Sequence, residues 1–306
     1  MKTESHVGDL IFFWILKFFA LLFIFLFISM ALVIFIKSWH AFSQFGFSFF
    51  VDTSWDSWRK ELGALALIYG TVFSSLLALL LAVPISVAFA LFLNEIAPRW
   101  LATCLGFLVE MLAAVPSIIY GMWGLFVLAP FLREKIQPVL SENLSYLPLF
   151  SGPYYGIGMM SAGIILAIMI TPTISSLCKE VFKIIPVTNK EAVLTLGATR
   201  WEMFKTAILR GGSSGIMGAV FLGFGRAFGE TMAVTMVIGN KVNLSASLFA
   251  PSQTMASILA TQYAEADSKL HLSALTAVGF TLFVVSVFFN SASLFLIWRM
   301  KKKWRT

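Results

Sequence analysis

Charge is what this sequence has least of. Of its 306 residues, 12% are Asp, Glu, Lys or Arg and 59% are hydrophobic, where an ordinary soluble domain is about one quarter charged. That shortage excludes a globular protein with a solvated surface, and a mean hydropathy of +0.88 places the chain among polytopic membrane proteins. Cysteine is nearly absent: Cys104 and Cys178 give no disulfide framework, and in apolar runs a thiol behaves as a small hydrophobe. His6, His40 and His271 stand apart in expected loop or terminal positions. They lack metal-ligand spacing, so no metal or other cofactor is expected. No G-x-x-x-x-G-K-S/T loop is present, which excludes ATP hydrolysis by the chain itself.

Long apolar runs are what the sequence has in place of charge. Six are long enough to cross roughly 30 Å of hydrocarbon: Leu10 to Ile36, Ala64 to Ile96, Leu101 to Phe131, Ile157 to Cys178, Gly215 to Ile238 and Leu272 to Trp298. Continuous runs satisfy their backbone only as helices, whereas a barrel needs short alternating segments. The fold class is therefore all-α, a polytopic membrane protein of six transmembrane helices. The first run exceeds a signal peptide's apolar region and is read as a retained helix. Lys17 lies near enough to its end to snorkel to the headgroups.

With six spans both termini share one side. Cytoplasmic termini put thirteen Lys and Arg inside and seven outside, which the positive-inside rule favours. The formal charge of +7 then reads as a topology signal, and nucleic-acid binding is not expected. The chain divides into a first helix and loop (1–63), a membrane core (64–298) with an inside loop at 179–212, and a basic tail (299–306).

The inside loop carries strong local signals. Thr188 with Glu191, and Thr199 with Glu202, each fit a capping box. They predict one helix from near Asn189 to Gly197 and a second with Trp201, Phe204 and Ile208 on one face. The result is a compact knob, read either as an interfacial helix on the headgroups or as a docking element for a cytoplasmic partner.

Within the fifth run, "GFGRAFGETMAV" places Arg226 and Glu230 at bilayer depth, where charge is costly. Arg226 lies about 16 Å of rise from Gly215, and Glu110 about 13 Å from Leu101, so three ionisable groups can meet near the midplane. Two readings stand side by side. Arg226 pairs with Glu230 or Glu110 and pins helices together, or it contacts an anion in transit while the carboxylates weaken its hold. Gly225 and Gly229 form a thin face for close helix packing. Pro84, Pro116 and Pro172 read as packing kinks.

The segment "EAVLTLGATRWEMFKTAIL" resembles the EAA loop of ABC importer permeases, E-A-A-x3-G-x9-I-x-L-P. Glu191, Ala192, Gly197 and Leu209 match, while Val193, Ala207 and Arg210 depart, Arg210 standing where the pattern has Pro. "EIAPRW", "FLVEMLAAVPSIIYGMWGLFVLAP" and "GRAFGETMAVTMVIGN" resemble the permease subunits of the phosphate-specific ABC importer, the PstC type, with the sister PstA type as the near alternative. This resemblance implies a type I ABC importer permease fold in the bacterial inner membrane. It also implies a PstA-like second permease, a dimeric PstB-like ATPase docked on Glu191, Ala192, Gly197, Trp201 and Phe204, and a periplasmic PstS-like phosphate-binding protein. Arg226, Glu230 and Glu110 become candidate pathway residues. Another oxyanion fits the same residues. An ion-coupled secondary transporter or a phosphate-responsive signalling protein remain readings of another class.

Overall fold

The computed structural model describes residues 7–144 and 146–303; His6, Lys2 and the last three residues of the basic tail lie outside them. Helix α1 (Val7–Phe45) is nine residues longer than the apolar run at its C-terminal end and stops only at Gly46, whose φ of +55° is left-handed. Lys17 Nζ lies 4.9 Å from the Trp14 ring centroid, a cation–π contact that replaces part of its lost hydration. After a short turn at Ser48–Val51, two-residue strands β1 (Trp55–Asp56) and β2 (Glu61–Leu62) form an antiparallel hairpin that the all-helical reading did not foresee. Asp56 Oδ1 closes it by accepting from the Trp58 and Arg59 amides.

Helix α2 (Leu65–Leu91) runs on through a π-helical turn to Ile96 and contains Pro84 without interruption. The third run divides into α3 (Arg99–Ala114) and α4 (Ser117–Trp123), the latter continued by further turns to Leu144. The two parts meet at 93°. Val115 is extended, as a residue before proline is held, and Pro116 opens the new helix. Helix α5 (Met159–Ile184) tolerates Pro172 internally.

The inside loop forms α6 (Val187–Thr195) and α7 (Arg200–Met203), the latter continued by a π-helical stretch to Arg210. Helix α8 (Ser213–Phe228) follows at 66°. Gly211 permits that bend without the proline of the importer pattern, because a Cβ there would overlap the Ala207 carbonyl. Gly229 to Thr231 break the fifth run, and α9 (Met232–Val237) completes it. A loop leads to α10 (Met255–Gln262), and α11 (Lys269–Lys303) ends the described chain. Among the described residues four helices are long and apolar enough to cross a membrane, and the number reaches six when each of two bent pairs, 99–144 and 200–228, is taken as one span.

His40 and His271 sit inside α1 and α11, not in loops, because both helices run past the apolar stretches. Cys104 lies exposed on α3 and Cys178 buried in α5.

Helix α5 is the centre of the larger core. Its Ile165, Leu166, Met169, Ile170, Ile174 and Phe182 are fully or almost fully buried. Against it α2 presents small side chains, Ser74, Ser75, Ala78, Ala82, Ser86 and Ala90, the composition that lets membrane helices approach closely. Gly163 and Gly223 mark contacts where a Cβ would collide with Leu77 and Ile174. A second core joins α1, the Ser48–Val51 turn, α10 and α11 through Ala41, Phe49, Met255 and Leu275, with Phe224 and Phe228 of α8. The N-terminal amides of α5 are satisfied from outside the helix. Gly158, Met159 and Met160 donate to the carbonyls of Val237, Ala250 and Leu248, so the segment after α9 folds back as a cap.

Candidate functional site

Arg226 stands in the last turn of α8, and its guanidinium reaches the point where the third run breaks. Nη1 donates to Thr173 Oγ1 at 2.8 Å and Nη2 reaches the Ala113 carbonyl at 3.5 Å. Ala113 is the penultimate residue of α3, so its carbonyl is one of the orphan acceptors of a helix C-terminus. The cation therefore lies at the C-terminal ends of both α3 and α8, where helix dipoles stabilise positive charge. Tyr120 Oη donates to the neighbouring Leu112 carbonyl at 2.7 Å, so α4 closes the same end of α3.

No carboxylate lies within 4.0 Å of Arg226 among the described residues. The i,i+4 pairing with Glu230 needs a continuous helix, and the break at Gly229 removes it. Glu230 instead accepts from the Ala233 amide at 3.2 Å through Oε1, and so sits at the start of α9, where an anion is favoured. Glu110, exposed on α3 about one turn from Ala113, faces a pocket with Arg99, Lys179 and Lys183. Arg226 and Glu230 occupy the two sides of one break, and Glu110 lies a turn further toward the inside loop. The expected cluster of three charges in mutual contact does not form. Guanidinium has five N–H donors, and those left after Thr173 and Ala113 have no partner within the described chain.

The two broken runs meet near this site. At Gly121 of α4 a Cβ would come within 2.9 Å of Met236 Sδ and 3.0 Å of Ala233 Cα of α9. Gly225 and Gly229 are exposed and uncrowded by the chain's own helices, so the close packing here belongs to Gly223 and Gly121.

In the loop, Gly197 has φ +84° and ends α6 as expected. The Thr199 capping box forms as read: the Thr199 amide donates to Glu202 Oε2 at 2.8 Å and the Glu202 amide to Thr199 Oγ1 at 3.3 Å. The Thr199 amide and hydroxyl, both donating to Glu202 Oε2, hold the Glu202 carboxyl below its ordinary range. The Thr188 box does not form. Pro186 takes the cap position and starts α6 at Val187, because its fixed φ suits a helix entry. The expected stripe is also altered: Ile208 is buried, Phe204 half-buried and Trp201 65% exposed. Met203 and Ala207 are buried instead, and from Phe204 the backbone takes a wider π-helical wind. Glu191 and Ala192 are exposed on α6, beside exposed Leu194 and Leu196.

Two residues that sequence reading missed tie this loop to the membrane core. Lys190 Nζ pairs with Glu95 Oε1 at the end of α2, with side chains 16% and 11% exposed, and Asn94 Nδ2 donates to the same carboxylate at 2.6 Å. Nothing local links residues 95 positions apart. Thr173 was visible only as a hydroxyl after Pro172 in an apolar run.

A TM-score of 0.52 relates the chain to an inward-facing structure of the MetNI methionine ABC transporter, at 17% identity over 78% of this chain and 94% of that one. This likeness concerns the fold. The phosphate transport system permease protein PstC of Pasteurella multocida is 45% identical over 99% of this chain and 95% of its own length. PstC of Mesorhizobium japonicum is 45% identical over 89% and 84%. The probable PstC of Methanocaldococcus jannaschii is 36% identical over 87% and 84%. Residues 82–302, which include both broken spans, Arg226 and the whole inside loop, match the profile of the binding-protein-dependent transport system inner membrane components. The chain belongs to that family and, within it, to the PstC permeases.

Proposed function

We propose that this chain is the permease subunit of an ATP-driven importer of inorganic phosphate, with Arg226 as the contact for the anion in transit. The observation that carries the reading is a half-buried guanidinium held by one hydroxyl and one helix-end carbonyl, with spare donors and no carboxylate partner. Such a group binds an oxyanion in planar geometry and keeps its charge at any working pH. Glu230 across the break and Glu110 a turn toward the loop supply negative potential on either side of it. They keep residence short, as a conducting site requires.

The chain supplies path and orientation while a dimeric ATPase supplies energy. The 179–212 loop and both termini face the cytoplasm, as the distribution of Lys and Arg indicates. Exposed Glu191, Ala192, Leu196 and Trp201 form the ATPase contact, with Phe204 half-buried behind them and the left-handed Gly197 setting the angle between α6 and α7. A second permease completes the path, and a periplasmic phosphate-binding protein delivers the ion. Motion of the loop reaches the spans as a rigid-body shift.

Arg226→Gln tests the assignment in the assembled importer. Losing one charge-assisted hydrogen bond lowers phosphate uptake roughly ten- to hundredfold, with assembly and basal ATPase activity retained. Wild-type uptake would exclude the pathway role, and failure to assemble would make Arg226 structural.

A further inference from the structure

A cavity of about 510 Å³ lies at the loop-side ends of α2, α3 and α5. Arg99, Lys179 and Lys183 face it together with Asn94, Thr103 and a single carboxylate, Glu110. Lys183 is paired with Glu180 at 2.7 Å. Arg99 and Lys179 have no carboxylate within 4.0 Å among the described residues. Lys179 is only partly exposed, and its ammonium lies across α3 where Gly106 leaves room: a Cβ there would be 2.6 Å from Nζ. Arg99 is exposed and Lys179 partly so; two neighbouring cations without carboxylate partners among the described residues suit an anionic ligand. Trp100, 72% exposed beside Arg99, fits the aromatic belt at headgroup depth.

A second cavity, about 490 Å³ and almost wholly apolar, lies next along the same three helices. On α5, Ser175 lines the groove and Lys179 the cationic pocket, one turn apart. On α2 the same step joins Phe89 to Leu93, and on α3 Val109 adjoins Glu110. Ile85 and Ile168 of the groove wall are 59% and 37% exposed, so the groove opens sideways at membrane depth. A free anion needs the cationic pocket alone. A polar head on an apolar tail uses both.

We propose that these two cavities form a binding site for an anionic phospholipid, its headgroup phosphate on Arg99 and Lys179 and an acyl chain in the groove between α2, α3 and α5. Arg226 lines neither cavity, and Glu110 is the one residue the first cavity shares with the proposed anion path. The lipid bridges the end of α2, which carries Glu95, to α5, which leads into the loop, so it fastens the base on which Lys190 docks.

The test uses the assembled importer, native mass spectrometry and titration with phosphatidylglycerol or phosphatidylcholine. The wild type retains phosphatidylglycerol in preference. Arg99→Gln with Lys179→Gln weakens retention about fivefold for each charge removed, roughly 25-fold together. Ile85→Trp fills the groove from its exposed wall and weakens retention with the charges intact. Co-purification of all subunits establishes that each variant assembles. Equal retention of the two lipids by the wild type, or undiminished retention by the double variant, overturns the site. Displacement of the lipid by inorganic phosphate, with full retention in Ile85→Trp, overturns the lipid and assigns the pocket to the free anion.

Discussion

A guanidinium at bilayer depth needs acceptors, and for Arg226 these are a threonine hydroxyl and the end of a helix. The costly residue is thus held by neutral acceptors, with no carboxylate within 4.0 Å among the described residues. Glu202 shows the same logic at the surface, where a carboxylate is held by two bonds from Thr199. Its folded pKa is lowered, so its contribution is complete above the ordinary carboxylate value of 4.5 and is lost as pH falls through the lowered one. Hydrogen exchange at the amides of residues 199 to 202 should therefore accelerate on acidification, beyond the intrinsic pH effect. Glu202→Gln, which still accepts from the cap amide, should show no such step. Both residues were legible in the sequence as chemical types. The partners of Arg226 were not, because Thr173 and Ala113 lie 53 and 113 positions away.

Elements were legible where a local signal decides them. The Thr199 box and the left-handed Gly197 were both readable, since each depends on residues within one turn. Gly197→Val tests the hinge: nothing lies within 4 Å of the added Cβ, so the strain is purely one of φ and costs about 1–3 kcal/mol. Phosphate-stimulated ATPase activity should fall with basal hydrolysis retained, and unchanged stimulation would remove the hinge from coupling. Where an element depends on competition between signals, sequence reading failed. Pro186 overrode the Thr188 cap, and the π-helical wind after Phe204 rotated the apolar stripe. The breaks within the third and fifth runs were missed for another reason. Hydropathy records only apolarity, and the run is apolar on both sides of each break, although Pro116 stands at one and Gly229 at the other.

For the whole molecule the proposed coupling asks how the 179–212 loop is joined to the helical core. The Lys190–Glu95 pair is a direct link, because it fixes α6 to the end of α2, the helix packed along α5. Lys190→Met leaves Glu95 mostly buried without its cation, a loss of about 2 kcal/mol once the residual exposure is allowed for. The loop should become more susceptible to proteolysis and stimulated ATPase activity should drop, with Glu95→Gln added to the variant restoring part of both. Unaltered proteolysis would show that α6 is held by packing alone. By itself the sequence determined the membrane class, the six apolar runs, the helical 179–212 loop and the charged residues in the fifth run. These follow from composition, periodicity and capping, all of which act over a few residues. Tertiary structure alone decided that the third and fifth runs are broken, that Glu230 caps α9, that Glu110 joins a different pocket, and that Arg226 faces two helix ends. Each of those depends on which helices approach one another, and close packing between distant segments leaves no periodic trace in a single chain.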